Sequence, residues 1–227
     1  MLLLITDTSG KHGSVALARA SSSPDEVNVI ESVPLAGGTF SAQLVPQISA
    51  LLARHGFSKT DIEAFVVVSG PGSFTGLRVG LAAIKALAEI LHKPIVPVSL
   101  LEVVAVASRA SGKLLAVLDA GRGEVYAGEY QVAGEAAQLL QERLLAKDEF
   151  LSAAKGLVVA TPDETLAGML RDGAVQVPLP DAQMIARLGW RKLQAGDTVT
   201  PEQLEANYIR RSDAELLSRS GPDRRNS

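Results

Sequence analysis

The chain has 227 residues, of which 47% are hydrophobic and 21% charged, which is enough for a packed core and argues against disorder. Its net charge of −3, without a long basic run, disfavours nucleic-acid binding by the chain alone, and the lack of cysteine excludes disulfides and thiolate metal sites. No apolar run reaches the roughly 18 residues of a membrane span, and the apolar start lacks a basic flank. The sequence therefore predicts a cytoplasmic protein without membrane contact.

Strand signals come first along the chain. Residues 2–6 form an apolar run, typical of a strand buried on both faces, and a polar turn leads from it into a returning strand. Further apolar runs complete a series of five predicted strands at residues 2–6, 13–20, 27–33, 64–69 and 95–98.

Three helices are predicted between and after these strands, at residues 41–56, 75–91 and 101–109. Ser41 is a suitable N-cap for the first helix, and Pro46 near its first turn predicts a kink. Strands that alternate with helices, together with a hairpin, predict an α/β domain with a partly antiparallel sheet.

The second half of the chain repeats this beginning in a looser form. A strand at 114–118 ends in a turn that contains Asp119, and a returning strand follows at 125–130. Two later elements, a strand and a helix, are predicted at 157–160 and 182–194. The repeat predicts two duplicated lobes, residues 1–100 and residues 101–211, and the loss of apolar periodicity predicts a flexible tail over 212–227.

The loop at residues 69–80, SGPGSFTGLRVG, places four glycines at the start of the second helix. A P-loop would need Lys and then Ser or Thr where the chain has Leu77 and Arg78, and a dinucleotide fingerprint would need glycine at Thr75. Two interpretations remain open. The loop either offers backbone amides to an anion at the helix N-terminus, or it is a tight turn that packs the helix against its strand.

Asp7 and Asp119 each follow a predicted buried strand and could face one cleft between the lobes. Two such aspartates can hold a metal–phosphate complex, but aspartate is also an ordinary residue of the turn after a strand. The three histidines, His12, His55 and His92, are too widely spaced to act as a ligand pair, so no metal site is predicted.

The helix at 75–91 has two apolar faces on a wheel of roughly 100° per residue. One face carries the leucines and Ile84, and the other carries Val79, Ala82, Ala83, Ala86 and Ile90. Because a surface helix needs only one apolar stripe, either the helix is buried in its own domain or the second face meets another molecule.

The run SGPGSFTGLRVGLAAIKALA at residues 69–88 resembles the signature of the TsaB (YeaZ) family. This family belongs to bacterial tRNA threonylcarbamoyladenosine synthesis and consists of inactive relatives of the TsaD enzyme. Weaker similarities are LITDTS at 4–9, DAGRGEVY at 119–126 and Tyr-Ile-Arg at 208–210. The similar segments span almost the whole chain.

The resemblance implies an α/β, actin/Hsp70-like (ASKHA) fold of two duplicated lobes, with mixed sheets flanked by helices. It also implies a non-catalytic scaffold without a cofactor, which dimerises with TsaD and recruits the ATPase TsaE. The complex would modify N6 of the adenosine beside the anticodon in tRNAs that read codons beginning with adenine. The chain would contact tRNA only through this complex, and a homodimer is an alternative state of the chain alone.

The resemblance places the partner interface on the two N-terminal helices, for which we predict Leu44, Ile48, Leu51, Val79, Ala82, Ala83, Ala86 and Ile90. It makes the interlobe cleft a vestigial nucleotide site with Asp7, Thr8, Ser9 and Asp119. The catalytic relative binds metal through histidines on its first helix, whereas residues 39–46 have none and Phe40 stands where many relatives keep one.

The alternative function is an ATP-dependent small-molecule kinase of the same fold, which would use Asp7 and Asp119 with magnesium and ATP. The short second lobe, which has no Gly-Gly turn for adenosine, disfavours this alternative. A peptidase is also disfavoured, because the chain has neither a metal-ligand set nor a nucleophile–base pair.

Overall fold

Two mixed sheets form the framework of the protein in a computed structural model that describes residues 1–21, 26–170 and 173–210. The first sheet comprises β1 (Leu2–Asp7), β2 (His12–Ala20), β3 (Val27–Ala36), β4 (Ala64–Gly70) and β5 (Ile95–Ser99), in the order β3-β2-β1-β4-β5. The second comprises β6 (Gly112–Gly121), β7 (Glu124–Ala133), β8 (Ala136–Ala146), β9 (Val158–Thr161) and β10 (Val175–Gln176), in the order β10-β9-β6-β7-β8. The predicted tail at 212–227 lies outside the described residues.

The two sheets are built in the same way. In each, the first three strands along the chain pair antiparallel, and the first strand pairs in parallel with the fourth, which pairs in parallel with the fifth. The helices occupy equivalent places after the third, fourth and fifth strands, as α1 (Phe40–Arg54), α2 (Phe74–Leu91), α3 (Leu100–Ala107), α4 (Lys147–Ala153), α5 (Glu164–Gly168) and α6 (Ala182–Gln194). The predicted α/β fold of two duplicated lobes is confirmed.

The first sheet is buried on both faces, which explains why β1 and β4 are continuous apolar runs. Successive side chains of a strand point to opposite faces, so Leu4 and Phe65 pack against α1 and α2. Leu3 and Val66 face the other way and pack against α6, whose Trp190 lies in the same cluster. None of the helices in the described part of the chain is long and apolar enough to cross a bilayer.

The last helix of each lobe packs across the lobe boundary. α3 follows the first sheet but buries Leu101 and Val104 against the second sheet, whereas α6 follows the second sheet and covers the first. The predicted division at residue 100 therefore needs a correction, because residues 182–206 pack on the first lobe although the prediction places them in the second. An amphipathic pattern shows that a helix covers a sheet but not which sheet it covers.

The sequence patterns miss four elements of the second lobe, namely β8, α4, α5 and β10. β8 exposes most of its side chains, including Leu139 and Leu140, so the buried alternation that identifies a strand is missing. α4 and α5 have seven and five residues, too few to show a helical period. The predicted N-cap of α1 is also wrong, because the helix begins at Phe40 after Thr39 and Ser41 lies inside it.

The chain after α6 returns to the first lobe as a strap, which we define as residues 197–210. The backbone N–H of Val199 donates to the carbonyl of Ile95 at 2.8 Å, and the N–H of Asn207 donates to the carbonyl of Ser69 at 2.7 Å. Leu204, between these two points, is buried in the core beneath α2. The strap therefore runs beside α2 and is fixed at both ends.

Glu142 of β8 connects the two lobes and the strap. Its carboxylate accepts hydrogen bonds from Ser99 Oγ of the first lobe at 2.9 Å, from Tyr130 OH of the second lobe at 2.5 Å and from Asn207 Nδ2 of the strap. Burial and the charge of Glu142 raise the pKa of Tyr130, so its hydroxyl stays protonated and donates.

Candidate functional site

α2 buries one of its apolar faces and exposes the other. The face with the larger side chains, which includes Ile84, lies in the core between the helix and the first sheet. The face with the smaller residues, which is the predicted partner surface, lies outward. Ala82, Ala86 and Ile90 are exposed on it, and Val79 and Ala83 are half-buried. Ile90 leaves 68% of its surface exposed at the end of this face.

The prediction for α1 needs a correction. Leu44, Ile48 and Leu51 are buried in the core of the lobe, so they cannot form a surface for a partner. Their regular apolar spacing marks the stripe that faces the protein's own sheet. The exposed side of α1 carries mostly small residues at the same helical spacing, namely Ala42, Val45, Ser49 and Ala53.

The exposed sides of α1 and α2 form one surface, because the two helices pack beside each other over the first sheet. We call this surface the α1–α2 face and define it as Ala42, Val45, Ser49, Ala53, Val79, Ala82, Ala83, Ala86 and Ile90. Val45 is 53% exposed and Ile90 68%, and both are among the few large apolar side chains left in solvent. Small residues between two apolar side chains allow another helix to approach closely.

Three glycines, in the turn before α2 and in the first turns of the helix, lie where the chain closely approaches the turn after β1. A Cβ at Gly72 would overlap the carbonyl of Ser9, and a Cβ at Gly76 or Gly80 would overlap Thr8. Thr8 Oγ1 donates to the carbonyl of Gly76 at 2.8 Å, which fastens the helix to the turn after β1. The geometry therefore favours the tight-turn interpretation of the loop over the anion site.

Polar groups of this region satisfy one another. The N–H and Oγ of Ser9 both donate to Asp7 Oδ1, at 2.8 and 2.6 Å, and the N–H of Ser73 donates to the carbonyl of Ser9 at 2.6 Å. The N–H of Gly76 donates to Ser73 Oγ at 3.3 Å as a helix cap. Burial raises the pKa of Asp7, although the hydrogen bonds from Ser9 act in the opposite direction.

A cavity of about 700 Å³ lies between the lobes and is lined by the turns that follow β1 and β6. Two of the four predicted cleft residues, Ser9 and Asp119, line this cavity. Thr8 is buried under α2, and Asp7 accepts hydrogen bonds from Ser9. Asp7 therefore does not line this cavity together with Asp119. Arg210 at its edge pairs with Glu124 at 2.5 Å.

Phe40 occupies the space between the start of α2 and the first hairpin. Its ring lies where a Cβ at Gly13 or Gly76 would collide with it, so the side chain is packed and nearly fully buried. The three histidines lie apart, at the start of β2 and at the ends of α1 and α2. Within the described residues, no three His, Asp or Glu side chains cluster as metal ligands would.

Sequence reasoning missed two features near this surface. One is the exposed side of α1, which its small residues at helical spacing could have indicated. The other is a contact between Arg78, Phe74 and Tyr208, which joins positions 130 residues apart and has no local signal.

Known proteins resemble this chain over most of its length. A family model described as TsaD, tRNA N6-adenosine threonylcarbamoyltransferase, matches residues 34–192. The tRNA threonylcarbamoyladenosine biosynthesis protein TsaB of Escherichia coli is 31% identical over 94% of this chain and 96% of that protein. The protein of the same name from Bacillus subtilis is 35% identical over 58% of this chain, and the match covers 56% of the length of the Bacillus protein.

Solved structures resemble the chain in the same way. YeaZ from Pseudomonas aeruginosa superposes with a TM-score of 0.72 at 26% sequence identity, covering 91% of this chain and 99% of that one. A second structure, described as similar to the peptidase YeaZ from Pseudomonas aeruginosa, gives a TM-score of 0.71 at 28% identity. Both superpositions include both lobes.

Proposed function

The chain belongs to the TsaB (YeaZ) family, and on that premise we propose that it is a non-catalytic subunit of tRNA threonylcarbamoyladenosine synthesis. The modified group is N6 of the adenosine beside the anticodon in tRNAs that read codons beginning with adenine. In this proposal the chain acts in the cytoplasm as a scaffold that dimerises with TsaD, and catalysis takes place on TsaD.

The observation that carries the proposal is the α1–α2 face. A monomer that exposes Val45 and Ile90 on adjoining helices, with alanines between them, leaves an apolar surface in water. Covering that surface with a partner removes its apolar area from solvent at about 25 cal/mol per Å². The alanines bring the partner's backbone close, so contact extends over both helices.

The interlobe cleft supports a role without catalysis. The turn after β1 uses its polar groups internally, since both the N–H and the hydroxyl of Ser9 donate to Asp7. The glycines at the start of α2 lie so close to Thr8 that no space is left above it. A kinase of this fold would need those groups for the phosphates and magnesium of ATP. The packing at α2 therefore favours the scaffold over the kinase.

The assembly extends beyond one pair. TsaE, an ATPase, joins the complex after the chain has paired with TsaD, and tRNA is contacted through the complex. A net charge of −3 fits a subunit that does not hold tRNA alone. In the absence of TsaD, the same apolar face is available to a second copy of the chain.

The decisive experiment is reconstitution with TsaD from the same organism. We expect the two chains to copurify as a heterodimer, and TsaD with TsaE and the threonylcarbamoyl-adenylate donor to modify tRNA only when this chain is added. Two results would refute the proposal: modification by the isolated chain at the rate of the full assembly, or full activity of TsaD and TsaE without it.

A further inference from the structure

Arg78 on the flank of α2 is held in one orientation by two aromatic rings. Its guanidinium carbon lies 3.9 Å from the ring centre of Phe74, and its Nε donates to Tyr208 OH at 3.2 Å. The rings of Phe74 and Tyr208 lie 4.8 Å apart, so the three side chains contact one another. We call these three residues the Arg78 cluster.

Both rings are attached to fixed parts of the fold. Phe74 is the first residue of α2, directly after the N-cap residue Ser73. Tyr208 follows Asn207, whose N–H donates to the first sheet and whose side chain donates to Glu142. The plane of the Arg78 guanidinium is therefore defined before any ligand arrives.

Arg78 is exposed and has no acidic partner among the described residues. Several other arginines are paired with glutamates of this chain, namely Arg54, Arg143, Arg191 and Arg210. Since Nε is used by Tyr208, the two terminal nitrogens of Arg78 remain as a pair of donors. A guanidinium presents such donors in a fork that matches the two oxygens of a carboxylate.

The cluster lies at the rim of the α1–α2 face. Arg78 is one helical turn before Ala82, so the two side chains are neighbours on the exposed side of α2. Protein interfaces combine an apolar centre with a polar rim, and arginine is enriched in them. A partner seated on Ala82 and Ala86 would therefore reach the terminal nitrogens of Arg78.

We propose that the Arg78 cluster is a carboxylate-binding site, which takes an aspartate or glutamate side chain of the protein that docks on the α1–α2 face. This inference rests on the function proposed above and adds a specific polar contact to it. The cluster fixes the guanidinium beforehand, so less conformational entropy is lost when the carboxylate binds. A protein carboxylate is favoured over an RNA phosphate, because the site continues the apolar face and the chain carries a net charge of −3.

The test compares Arg78→Lys with the wild type in titrations against TsaD from the same organism. Lysine keeps the positive charge but cannot form the fork or the contact with both rings, so we expect affinity to fall about tenfold. Tyr208→Phe removes only the hydrogen bond that orients Nε and should give a smaller loss. Arg19→Lys is the matched control, since Arg19 lies over the ring of Phe57 away from the α1–α2 face.

Melting of the isolated variants separates recognition from folding. The inference requires that Arg78→Lys weakens pairing while its melting temperature stays within a degree or two of wild type. Wild-type affinity for TsaD in Arg78→Lys overturns it, and so does a loss that affects only binding of a tRNA anticodon stem-loop.

The inference and the proposed function fail in different ways. If the wild type pairs with TsaD and Arg78→Lys pairs equally well, the carboxylate site is wrong and the scaffold proposal stands. If the wild type does not pair with TsaD at all, both are wrong.

Discussion

Equivalent helices of the two lobes differ greatly in length. After the third strand, the first lobe has α1 with 15 residues and the second has α4 with seven. After the fourth strand, the first lobe has α2 with 18 residues and the second has α5 with five. Both pairs occupy the same place in the strand order, so the lobes share the order of their strands and differ most in the length of the helices that cover the sheets.

Helix length decides which lobe can offer a surface to a partner. A helix of four or five turns can bury one stripe against its sheet and still present a second stripe over several turns. A helix of one or two turns uses nearly all of its apolar residues for its own lobe, as α5 does with Leu166. Within the described residues, the duplicated fold therefore has two similar frameworks, and only the first lobe carries two long neighbouring helices after its third and fourth strands.

Ala86→Arg tests the assignment of the outer face and has the largest expected effect on binding. The new side chain projects into solvent in the isolated chain, so folding should be unchanged. In the complex, the charge would lie in a dry contact without a partner, and we expect pairing with TsaD to weaken by at least about a hundredfold. Size-exclusion chromatography and titration measure the loss. Normal pairing by this variant would place the interface elsewhere.

Ile84→Arg is the matched substitution on the inner face of the same helix. Ile84 is fully buried, so a charge there destabilises the lobe by about 4 kcal/mol or more, and the protein should not fold normally. Circular dichroism melting distinguishes the two variants. If Ala86→Arg melts early and Ile84→Arg melts like wild type, the two faces have been assigned the wrong way round.

The glycines of the equivalent helices α2 and α5 should respond in opposite directions to alanine. In Gly76→Ala the new methyl meets the carbonyl of Thr8 and the ring of Phe40, so we expect a loss of about 2 kcal/mol. In Gly168→Ala nothing lies within 4 Å of the new methyl, and the change should be neutral or stabilising by about 0.5 kcal/mol. Denaturant unfolding measures both. Equal effects at the two sites would contradict the close contact at Thr8.

Asp7 at the end of β1 and Asp119 near the end of β6 give the smallest expected difference in stability, and this difference depends on pH. Burial raises the pKa of Asp7, so the folded state binds this proton more tightly than the unfolded state. The stability that the folded state gains by binding this proton is complete below the unfolded-state pKa of about 4. It is lost as pH rises through the higher pKa of Asp7 in the folded state. Asp7→Asn keeps an acceptor for Ser9 without a charge and should raise the melting temperature at neutral pH by roughly 2–4 °C.

The advantage of Asp7→Asn should shrink towards pH 3, where Asp7 of the wild type is also uncharged. Asp119 is exposed near the end of β6, so Asp119→Asn should change the melting temperature little and serves as the control. Melting curves of both variants across the acid range provide the test. A gain for Asp7→Asn that is the same at pH 3 and pH 7 would show that the charge is not its cause.

The fold could be predicted from the sequence where apolar residues repeat within one element. The continuous run of β1 and the helical period of α2 carry enough buried side chains to identify both elements. β8 could not be identified, because it is an edge strand with side chains exposed on both faces, so its sequence shows no alternation of apolar and polar residues. The position of α6 depends on contacts with a sheet more than eighty residues earlier, which no local pattern contains.

Which side of the helix lies outward was predictable for α2 and not for α1. On α2 two apolar faces compete, and the larger side chains take the interior because they remove more apolar area from water. On α1 the sequence shows only one regular apolar stripe, and this stripe of Leu44, Ile48 and Leu51 packs in the core of the lobe and not against a partner. The contact of Arg78 with Tyr208 depends on the path of the strap, which has no local sequence signal.

The crossing of α6 to the first lobe has a consequence for synthesis on the ribosome. The strands of the first sheet are complete once Ser99 has emerged, but most of one face of that sheet, apart from the part that Val103 of α3 covers, stays uncovered until residue 190 has followed. During that interval Leu3, Val66 and their neighbours remain exposed to water, although every strand is present. Gly189 then allows α6 to lie directly on Val66, where a larger residue would be blocked. The first lobe to be translated is thus finished by α6, a helix of the second half of the chain, so we expect a nascent chain halted after residue 111 to be prone to aggregation.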